Sequence, residues 1–318
     1  MEKKDMRIVF MGTPEMAVAS LEKILQSGYQ VEAVVTAPDK PAGRGRKITA
    51  PAVKKFALEK EIMVLQPENL KSPVFIDRLR SVKPDVMVVV AFRMLPKEVW
   101  KLPSKGTFNL HASLLPQYRG AAPINRAIMN GETKTGVTTF FLDEKIDTGR
   151  IIAKREISIG DHETAGELHD RIKILGAALV VDTLEMIRKE KIETIDQEEL
   201  IAQSQFEQLK KAPKIFKEDC KIDWQNDVKE VFNHIRGLNP YPGAFTEVYD
   251  TKGESFILKI FDCDYEYSSS TLSPGELVTD NKNYLKMACQ NGFIDIKSLQ
   301  AAGKKRMNTL EFLRGFTF

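Results

Sequence analysis

Short apolar segments alternate with helix-forming segments along the first half of the chain. Residues 7–11 form a β-branched apolar run closed by Gly12, which is typical of a buried parallel strand. A helical spacing follows Pro14 and ends near Gly28, because proline suits a first turn and glycine a stop. The same pattern predicts strands at 31–36, 63–65, 85–91, 107–111 and 137–142, and helices at 51–60, 74–82 and 123–130. This alternation predicts βαβ units and an α/β fold with a doubly wound parallel sheet.

The pattern changes after a long helix in the middle of the chain. Thr164 and Glu167 form a capping box for this helix, whose apolar stripe runs from Leu168 to Ile187. The segment that follows is polar and charged, so we predict one domain over 1–189, a linker over 190–206 and a second domain over 207–318. In the second domain, an amphipathic helix from Val228 to Ile235 precedes expected strands at 244–249, 255–261, 275–278, 284–288 and 293–298. Five short strands at this spacing predict a small OB-like β-barrel.

Composition narrows the possible classes of protein. The 318 residues are 42% hydrophobic and 29% charged, which argues against a disordered or fibrous chain. The net charge of +3 argues against a surface that binds polyanions everywhere, although a local basic site stays compatible with it. The three scattered cysteines fit reduced thiols, and we find neither a signal peptide nor a membrane-length apolar run. We therefore expect a cytoplasmic protein.

Two polar clusters lie at or just after the carboxyl ends of predicted strands. Asn109 and His111 are two residues apart on a strand, so they face the same side, at the carboxyl end where open α/β sheets bind ligands. An asparagine amide can donate to an oxyanion, and histidine exchanges protons near neutral pH. Asp147, in Asp147-Thr-Gly149, could orient His111 or simply form a turn. The spacing alone leaves a structural role open for each residue, and no histidine has metal-ligand spacing.

A basic, glycine-containing loop over residues 39–47 is the strongest electrostatic feature. Flexible basic loops of this kind follow phosphate backbones, although a solvated surface loop is the alternative. A second basic cluster lies near the end of the chain, in the expected barrel. The basic residues of the two clusters are Lys40, Arg44, Arg46 and Lys47, and then Lys304, Lys305 and Arg306.

The loop after the first strand lacks both the G-x-G-x-x-G and the Walker pattern, which argues against nicotinamide binding.

Several motifs together resemble the methionyl-tRNA formyltransferase family over nearly the whole chain. The Ser-Leu-Leu-Pro-x-Tyr-Arg-Gly stretch resembles folate-dependent formyltransferases, and the basic loop with the second-domain motifs resembles their tRNA-dependent branch. The segments are Phe10-Met-Gly-Thr-Pro14, Pro38-Asp-Lys-Pro-Ala-Gly-Arg-Gly-Arg46, Asn109-Leu-His-Ala-Ser-Leu-Leu-Pro-Gln-Tyr-Arg-Gly-Ala-Ala-Pro123, Gly136-Val-Thr-Thr139, Asp147-Thr-Gly149, Glu163-Thr-Ala-Gly-Glu-Leu168, Ile222-Asp-Trp224, Arg236-Gly-Leu-Asn-Pro240 and Ala302-Gly-Lys-Lys-Arg-Met307.

The resemblance implies formyl transfer from 10-formyltetrahydrofolate to the amino group of methionyl initiator tRNA, for translation initiation. It implies a Rossmann-like domain followed by an OB-like tRNA-binding domain, with no metal and no membrane. Position by position, it implies Asn109, His111 and Asp147 as catalytic residues, and the Arg44 region as the loop that meets the tRNA acceptor end. The second basic cluster is assigned to tRNA binding as well, and we expect a monomer. The folate-contacting stretch falls on Ser113, Leu114, Leu115 and Pro116.

Other functions compete with this interpretation. A formyltransferase acting on an amino sugar nucleotide can share the same three polar residues, and only the basic loop favours tRNA. The purine-pathway formyltransferase is typically a single domain, and a formyltetrahydrofolate hydrolase-dehydrogenase needs more than 318 residues. A non-catalytic nucleic-acid-binding module is an alternative of another class. It would arise if Arg93 blocked the folate pocket, because the segment Ala91-Phe-Arg93-Met-Leu-Pro96 is one residue shorter than the family pattern and lacks its glycine.

Overall fold

The computed structural model describes residues 4–42, 47–203, 208–269 and 271–318. The chain divides into two compact units that are not continuous in sequence. The first unit comprises Met1–Gly120, Gly136–Ile157 and Asp170–Lys211. The second comprises Ala121–Thr135, Ser158–His169 and Ala212–Phe318. Two segments from within the predicted first domain, 121–135 and 158–169, therefore belong to the compact unit that contains the C-terminal part.

The elements of the described residues follow in chain order. The strands are β1 (Lys4–Gly12), β2 (Tyr29–Val35), β3 (Lys40–Ala42), β4 (Lys47–Thr49), β5 (Met63–Leu65), β6 (Val86–Val90), β7 (Thr107–His111), β8 (Arg119–Gly120), β9 (Lys134–Phe141), β10 (Ile151–Ser158), β11 (Lys211–Ala212), β12 (Ala244–Tyr249), β13 (Ser255–Tyr267), β14 (Leu277–Thr279), β15 (Leu285–Cys289), β16 (Gly292–Ala301) and β17 (Met307–Asn308). The helices are α1 (Glu15–Gln26), α2 (Ala52–Glu59), α3 (Pro73–Ser81), α4 (Lys97–Trp100), α5 (Pro123–Met129), α6 (Ala165–Arg188), α7 (Gln197–Gln203), α8 (Val228–Gly237) and α9 (Thr309–Leu313).

A seven-stranded sheet forms the centre of the first unit, in the order β10-β9-β7-β6-β1-β2-β5. The pairs β1–β2, β1–β6, β6–β7 and β2–β5 are parallel, which confirms the predicted Rossmann-like parallel sheet. All five residues of β6 are buried, as a continuous apolar run predicts for a central parallel strand. One edge differs from the prediction, because β9 pairs with β7 in the antiparallel direction.

The predicted basic loop contains regular structure at both of its ends. Strands β3 and β4 form a short antiparallel ladder, in which Lys40 faces Thr49 and Ala42 faces Lys47. The expectation of an irregular loop over all of residues 39–47 is therefore wrong at these positions, because backbone pairing orders them. Arg44 and Arg46 lie outside the residues that the structure describes.

The segment expected to form a linker, residues 190–206, is grouped with the first unit and includes α7. Ile195 pairs with Ile151 in an isolated antiparallel bridge, with hydrogen bonds of 2.8 and 2.9 Å between their backbones. This short bridge brings the beginning of α7 beside β10. The polar composition of the segment had no pattern that predicts such a contact.

An antiparallel sheet forms most of the second unit, in the order β12-β13-β16-β15-β14, with β17 paired to β16. All five predicted strands are present, and the neighbouring pairs of the sheet are antiparallel. Helix α8 begins at Val228, after Asp227 caps it by accepting a hydrogen bond from the Lys229 backbone. Its apolar face is buried in one core with residues of these strands, which confirms the predicted amphipathic helix.

Candidate active site

Strand β7 places Asn109 and His111 on the same face, at the carboxyl end of the strand. The His111 side chain is 7% exposed, whereas Asn109 is half-buried. Among the described residues, no hydrogen bond joins the Asn109 side-chain amide to a protein group. The strand end therefore presents one fixed imidazole and one amide that is available to a bound molecule.

The imidazole of His111 is oriented by a backbone carbonyl. Its Nε2 atom lies 2.8 Å from the carbonyl oxygen of Tyr118. A carbonyl oxygen only accepts, so Nε2 carries a hydrogen and donates. The other ring nitrogen, Nδ1, is then the atom that gains or loses a proton. Nδ1 lies 3.7 Å from Oδ2 of Asp147, the residue that the sequence could not place beside His111 by spacing alone.

Asp147 lies in a turn that we define as residues 143–149 and call the Asp147 turn. Its φ angle of 55° is in the left-handed region, which costs a non-glycine residue about 1–2 kcal/mol. The carboxylate accepts a hydrogen bond from the Gly120 backbone at 2.9 Å. The Asp147 carbonyl accepts a second one from Nε2 of Gln197 at 3.0 Å. Hydrogen bonds to both the side chain and the backbone therefore offset the conformational cost.

Gly149 ends the Asp147 turn under tight steric limits. A Cβ atom at this position would lie 1.7 Å from the carbonyl oxygen of Phe141, the last residue of β9. Gly149→Ala should therefore displace the turn or the strand, and we expect it to lower the free energy of unfolding by about 3 kcal/mol. Urea denaturation of the two proteins measures this difference. Gly253→Ala is a less crowded comparison, because a Cβ there meets no atom within 4 Å, although its φ of 81° adds some strain. Equal stability of Gly149→Ala and wild type would contradict the steric argument.

The predicted folate-contacting stretch is held firmly by protein contacts. The Ser113 hydroxyl donates to the Gln117 carbonyl at 2.7 Å, and Thr138 Oγ1 donates to the Ser113 carbonyl at 2.6 Å. Leu115 is fully buried against Phe140 and Ile151. Pro116 is also buried, and Leu114 is only half-buried. Of the four side chains, Leu114 is thus the one with partly exposed apolar surface.

Lys154 on β10 contacts the same stretch. Its ammonium donates to the Leu115 carbonyl at 2.9 Å. Partial desolvation of the ammonium lowers the pKa of Lys154 below its usual value. The contact links β10 to the segment that follows His111, so it adds a further support to this part of the site.

Arg93 is bound to backbone carbonyls of a neighbouring turn. Its guanidinium donates to the Glu68 carbonyl at 2.8 Å and also to the Pro67 carbonyl. The guanidinium also lies 5.7 Å from the centre of the Phe92 ring. These contacts satisfy the side chain within its own surroundings, so they provide no support for a role of Arg93 in blocking a ligand.

The basic residues assigned from the sequence have different environments. Lys40 is exposed beside the β3–β4 ladder, and Lys47 is the first residue of β4. Lys304 and Lys305 are exposed between β16 and β17. Arg306 is exposed as well, but its guanidinium lies 4.6 Å from the Phe261 ring centre and donates to Ser298 Oγ. Arg306 is therefore partly committed to packing, whereas Lys304 and Lys305 extend into solvent.

Two residues near the site escaped the sequence analysis. Gln197 is 1% exposed and donates from Nε2 to the carbonyls of Asp147 and Gly149. Arg119 donates to Oε1 of Gln197 from Nε and Nη2, at 3.0 and 2.8 Å. Gln197 lies in the expected linker, where its burial had no sequence signal. Arg119 belongs to the Tyr-Arg-Gly motif, which was the one available hint.

The described part of the chain has neither a metal-binding cluster nor a membrane-spanning helix. It contains no group of three or more His, Cys, Asp or Glu side chains that could hold a metal ion. No helix there combines the length and apolar character that crossing a bilayer requires.

All three cysteines are free and buried, and burial raises the pKa of Cys289 to about 12. A thiol with so high a pKa is inert at neutral pH.

Comparison with known proteins identifies related chains. The family model "Formyl transferase" matches residues 6–184, and "Formyl transferase, C-terminal domain" matches residues 214–317. The methionyl-tRNA formyltransferase of Bacteroides fragilis is 51% identical over 316 residues, covering 99% of this chain and 97% of the relative.

Solved structures with low sequence identity share the fold. The N-formyltransferase from Helicobacter canadensis, in complex with folinic acid and dTDP-3-aminofucose, matches with a TM-score of 0.64 at 20% identity, covering 96% of this chain and 100% of that chain. HypX from Aquifex aeolicus, in complex with tetrahydrofolic acid, matches with a TM-score of 0.64 at 19% identity over 98% of this chain. The present chain spans 48% of HypX, about half of its length. At these identities the likeness concerns the fold alone.

Proposed function

We propose a mechanism from the premise that this chain belongs to the methionyl-tRNA formyltransferase family. The enzyme transfers the formyl group of 10-formyltetrahydrofolate to the free amino group of methionyl initiator tRNA, giving N-formylmethionyl-tRNA. The single observation that carries the proposal is the position of the buried His111 imidazole. It lies on the strand that also bears Asn109, and its Nδ1 is 3.7 Å from the Asp147 carboxylate. The formyl group of the donor is already activated, so the step needs proton transfer and charge stabilisation rather than ATP.

Asn109 and His111 stabilise the charge that develops during the reaction. The uncharged amine attacks the formyl carbon, which places negative charge on the formyl oxygen. The Asn109 amide and the Nδ1–H of protonated His111 donate hydrogen bonds to that oxygen, since Nε2–H is already bound to the Tyr118 carbonyl. A preorganised donor of this kind is worth about 10²–10³ in rate. Support comes from the Asn109 amide, which no described protein group engages, and from the fixed orientation of the imidazole.

Asp147 places a negative charge beside His111 and accepts a proton during the reaction. Its Oδ2 lies 3.7 Å from Nδ1 of His111, so the negative charge of the carboxylate faces the imidazole that acts on the formyl oxygen. The same carboxylate receives the proton of the attacking amine, directly or through an ordered water. When the tetrahedral intermediate collapses, the bond between the formyl carbon and N10 of the donor breaks, and the proton passes to N10, which releases tetrahydrofolate. Since Oδ2 already accepts the Gly120 N–H, the second oxygen of the carboxylate has the greater freedom to accept a proton.

One assay distinguishes methionyl initiator tRNA from an amino sugar nucleotide as the acceptor substrate. Purified protein is incubated with 10-formyltetrahydrofolate and either methionyl initiator tRNA or a nucleotide-linked amino sugar, and formylated product is measured. We expect formylation of the tRNA only. Formylation of the amino sugar alone would assign the chain to the other acceptor class, and formylation of neither would favour a binding module.

The basic loop supplies affinity for tRNA in this proposal. Arg44→Ala should raise the KM for methionyl-tRNA and leave folate binding nearly unchanged, because a lost phosphate contact affects the nucleic acid alone. The dependence of log K on log salt should become shallower by about 0.7–0.9. Arg78→Ala removes an equal charge from an exposed position on α3 and is the matched control. Equal loss of folate and tRNA binding in Arg44→Ala would contradict the assigned role.

The domain organisation is part of the same proposal. We assign catalysis to a domain over residues 1–189 and tRNA binding to an OB-like domain over 207–318 that includes Lys304, Lys305 and Arg306. Residues 190–206 are the linker between these functional domains, although they are grouped with the first compact unit. The antiparallel strand order of the second unit supports a barrel of this type. We also propose a monomer, because Asn109, His111 and Asp147 all come from one chain. We propose a cytoplasmic location, because the tRNA substrate serves translation initiation. Sedimentation equilibrium measures the oligomeric state, and a dimer mass would contradict this part.

A further inference from the structure

We propose that Gln197 is a positioning residue, which holds the Asp147 carboxylate beside His111 through hydrogen bonds to the Asp147 turn. The inference rests on the proposed function, since it concerns the geometry of its catalytic residues. Gln197 is 1% exposed and is the first residue of α7. Its Nε2 donates to the Asp147 carbonyl at 3.0 Å and to the Gly149 carbonyl at 2.8 Å. A primary amide has two N–H donors, so Gln197 uses both of them on this one turn.

Arg119 determines which way the Gln197 amide faces. Its Nε and Nη2 atoms donate to Oε1 of Gln197 at 3.0 and 2.8 Å. A guanidinium has donors and no acceptor, so the amide oxygen must face Arg119 and the NH₂ group must face the turn. A rotated amide would place its oxygen against two carbonyl oxygens and its NH₂ against the guanidinium. Arg119 therefore selects the orientation in which Gln197 binds the Asp147 turn.

The three consecutive residues 118–120 connect this arrangement to His111. The Tyr118 carbonyl accepts from His111 Nε2, Arg119 orients Gln197, and the Gly120 N–H donates to Oδ2 of Asp147. Gln197 contributes the contacts on the opposite, backbone side of Asp147, whose φ of 55° is sparsely populated by non-glycine residues. The position of the carboxylate relative to Nδ1 thus depends on contacts from both sides. Loss of the Gln197 contacts should release the turn.

The test replaces Gln197 with glutamate. The carboxylate has nearly the same size and still accepts from Arg119, but it has no N–H for the two carbonyls. We expect the single-turnover rate of Gln197→Glu to fall about 10- to 100-fold, with the KM values for methionyl-tRNA and folate nearly unchanged, because displacements of about 1 Å have such effects on rate. Gln203→Glu makes the same exchange at the exposed last residue of α7 and should retain the wild-type rate.

A double-mutant cycle distinguishes positioning from general damage. If Gln197 acts through Asp147, adding Gln197→Glu to Asp147→Asn should lower the remaining rate by less than about twofold, because coupled residues are not additive. A full 10- to 100-fold loss in both backgrounds would overturn the proposal, and so would a wild-type rate in Gln197→Glu. Wild-type protein is assayed in the same experiment. Formylation of methionyl-tRNA at equal single-turnover rates by wild type and Gln197→Glu would leave the proposed function intact and reject this inference alone.

Discussion

Asp147→Asn should lower the single-turnover rate of formyl transfer by about 10²–10⁴-fold, the range that general acid–base groups supply. An amide cannot receive the proton of the attacking amine, and it places no negative charge beside the His111 imidazole. The substitution preserves size, and an Asn side-chain oxygen can still accept the Gly120 N–H that Oδ2 accepts at 2.9 Å. The turn should therefore keep its conformation, and the rate change should report on chemistry rather than on folding.

Rapid-quench measurement of formylmethionyl-tRNA checks this result. Asp77→Asn makes the same exchange on the surface of α3, where Asp77 forms only an exposed ion pair with Arg80, and should retain the wild-type rate. Folate binding and the unfolding midpoint of Asp147→Asn should match those of wild type. A rate near that of wild type would remove Asp147 from the mechanism.

His111→Ala should lower the same rate by about 10²–10³-fold, the value of one preorganised donor to an oxyanion. The imidazole is only 7% exposed and its Nε2 is bound to the Tyr118 carbonyl. A mobile water in place of the ring would not hold a hydrogen-bond donor in the same position. The KM for methionyl-tRNA should change little, because His111 acts on charge that develops only in the transition state.

The control for His111→Ala addresses stability. Removal of a buried ring leaves a cavity and removes the hydrogen bond from Nε2 to the Tyr118 carbonyl, so we expect a loss of about 1–3 kcal/mol in the free energy of unfolding. Activity is therefore measured well below the unfolding midpoint of the variant. His162→Ala, at an exposed histidine, should retain the wild-type rate. A folded His111→Ala protein with wild-type kinetics would contradict the proposed role.

Local patterns in the sequence were sufficient for much of the fold. The apolar run of β6 predicts a central buried strand, since a strand covered on both faces has few positions for polar residues. The capping box between Thr164 and Glu167 is confirmed by hydrogen bonds of 2.8 and 3.3 Å. The antiparallel direction of β9 was missed, because periodicity describes which residues are buried and contains no information on strand direction.

The candidate site also combines features that the sequence predicts with features that it does not. Alternation along a strand places Asn109 and His111 on one face, and the motif resemblance pointed to Asp147 as well. The resemblance did not reveal that Asp147 adopts a φ of 55° or that its carboxylate and backbone are held by different parts of the chain. Gln197 has no local pattern that distinguishes it from the other polar residues of its segment.

The sequence by itself determined most of the long helices and strands, but not β10 or α7, and it determined the face of β7 that bears the polar side chains. These depend on interactions between residues a few positions apart, which a period of two or 3.6 residues makes visible. The class of chemistry came from the resemblance of the motifs to a known family. Only the tertiary structure decided the distance from His111 to Asp147 and the burial of Gln197. Those contacts join residues 36 and 50 positions apart, for which chain spacing sets no distance, and the packing of β7, the Asp147 turn and α7 brings them together.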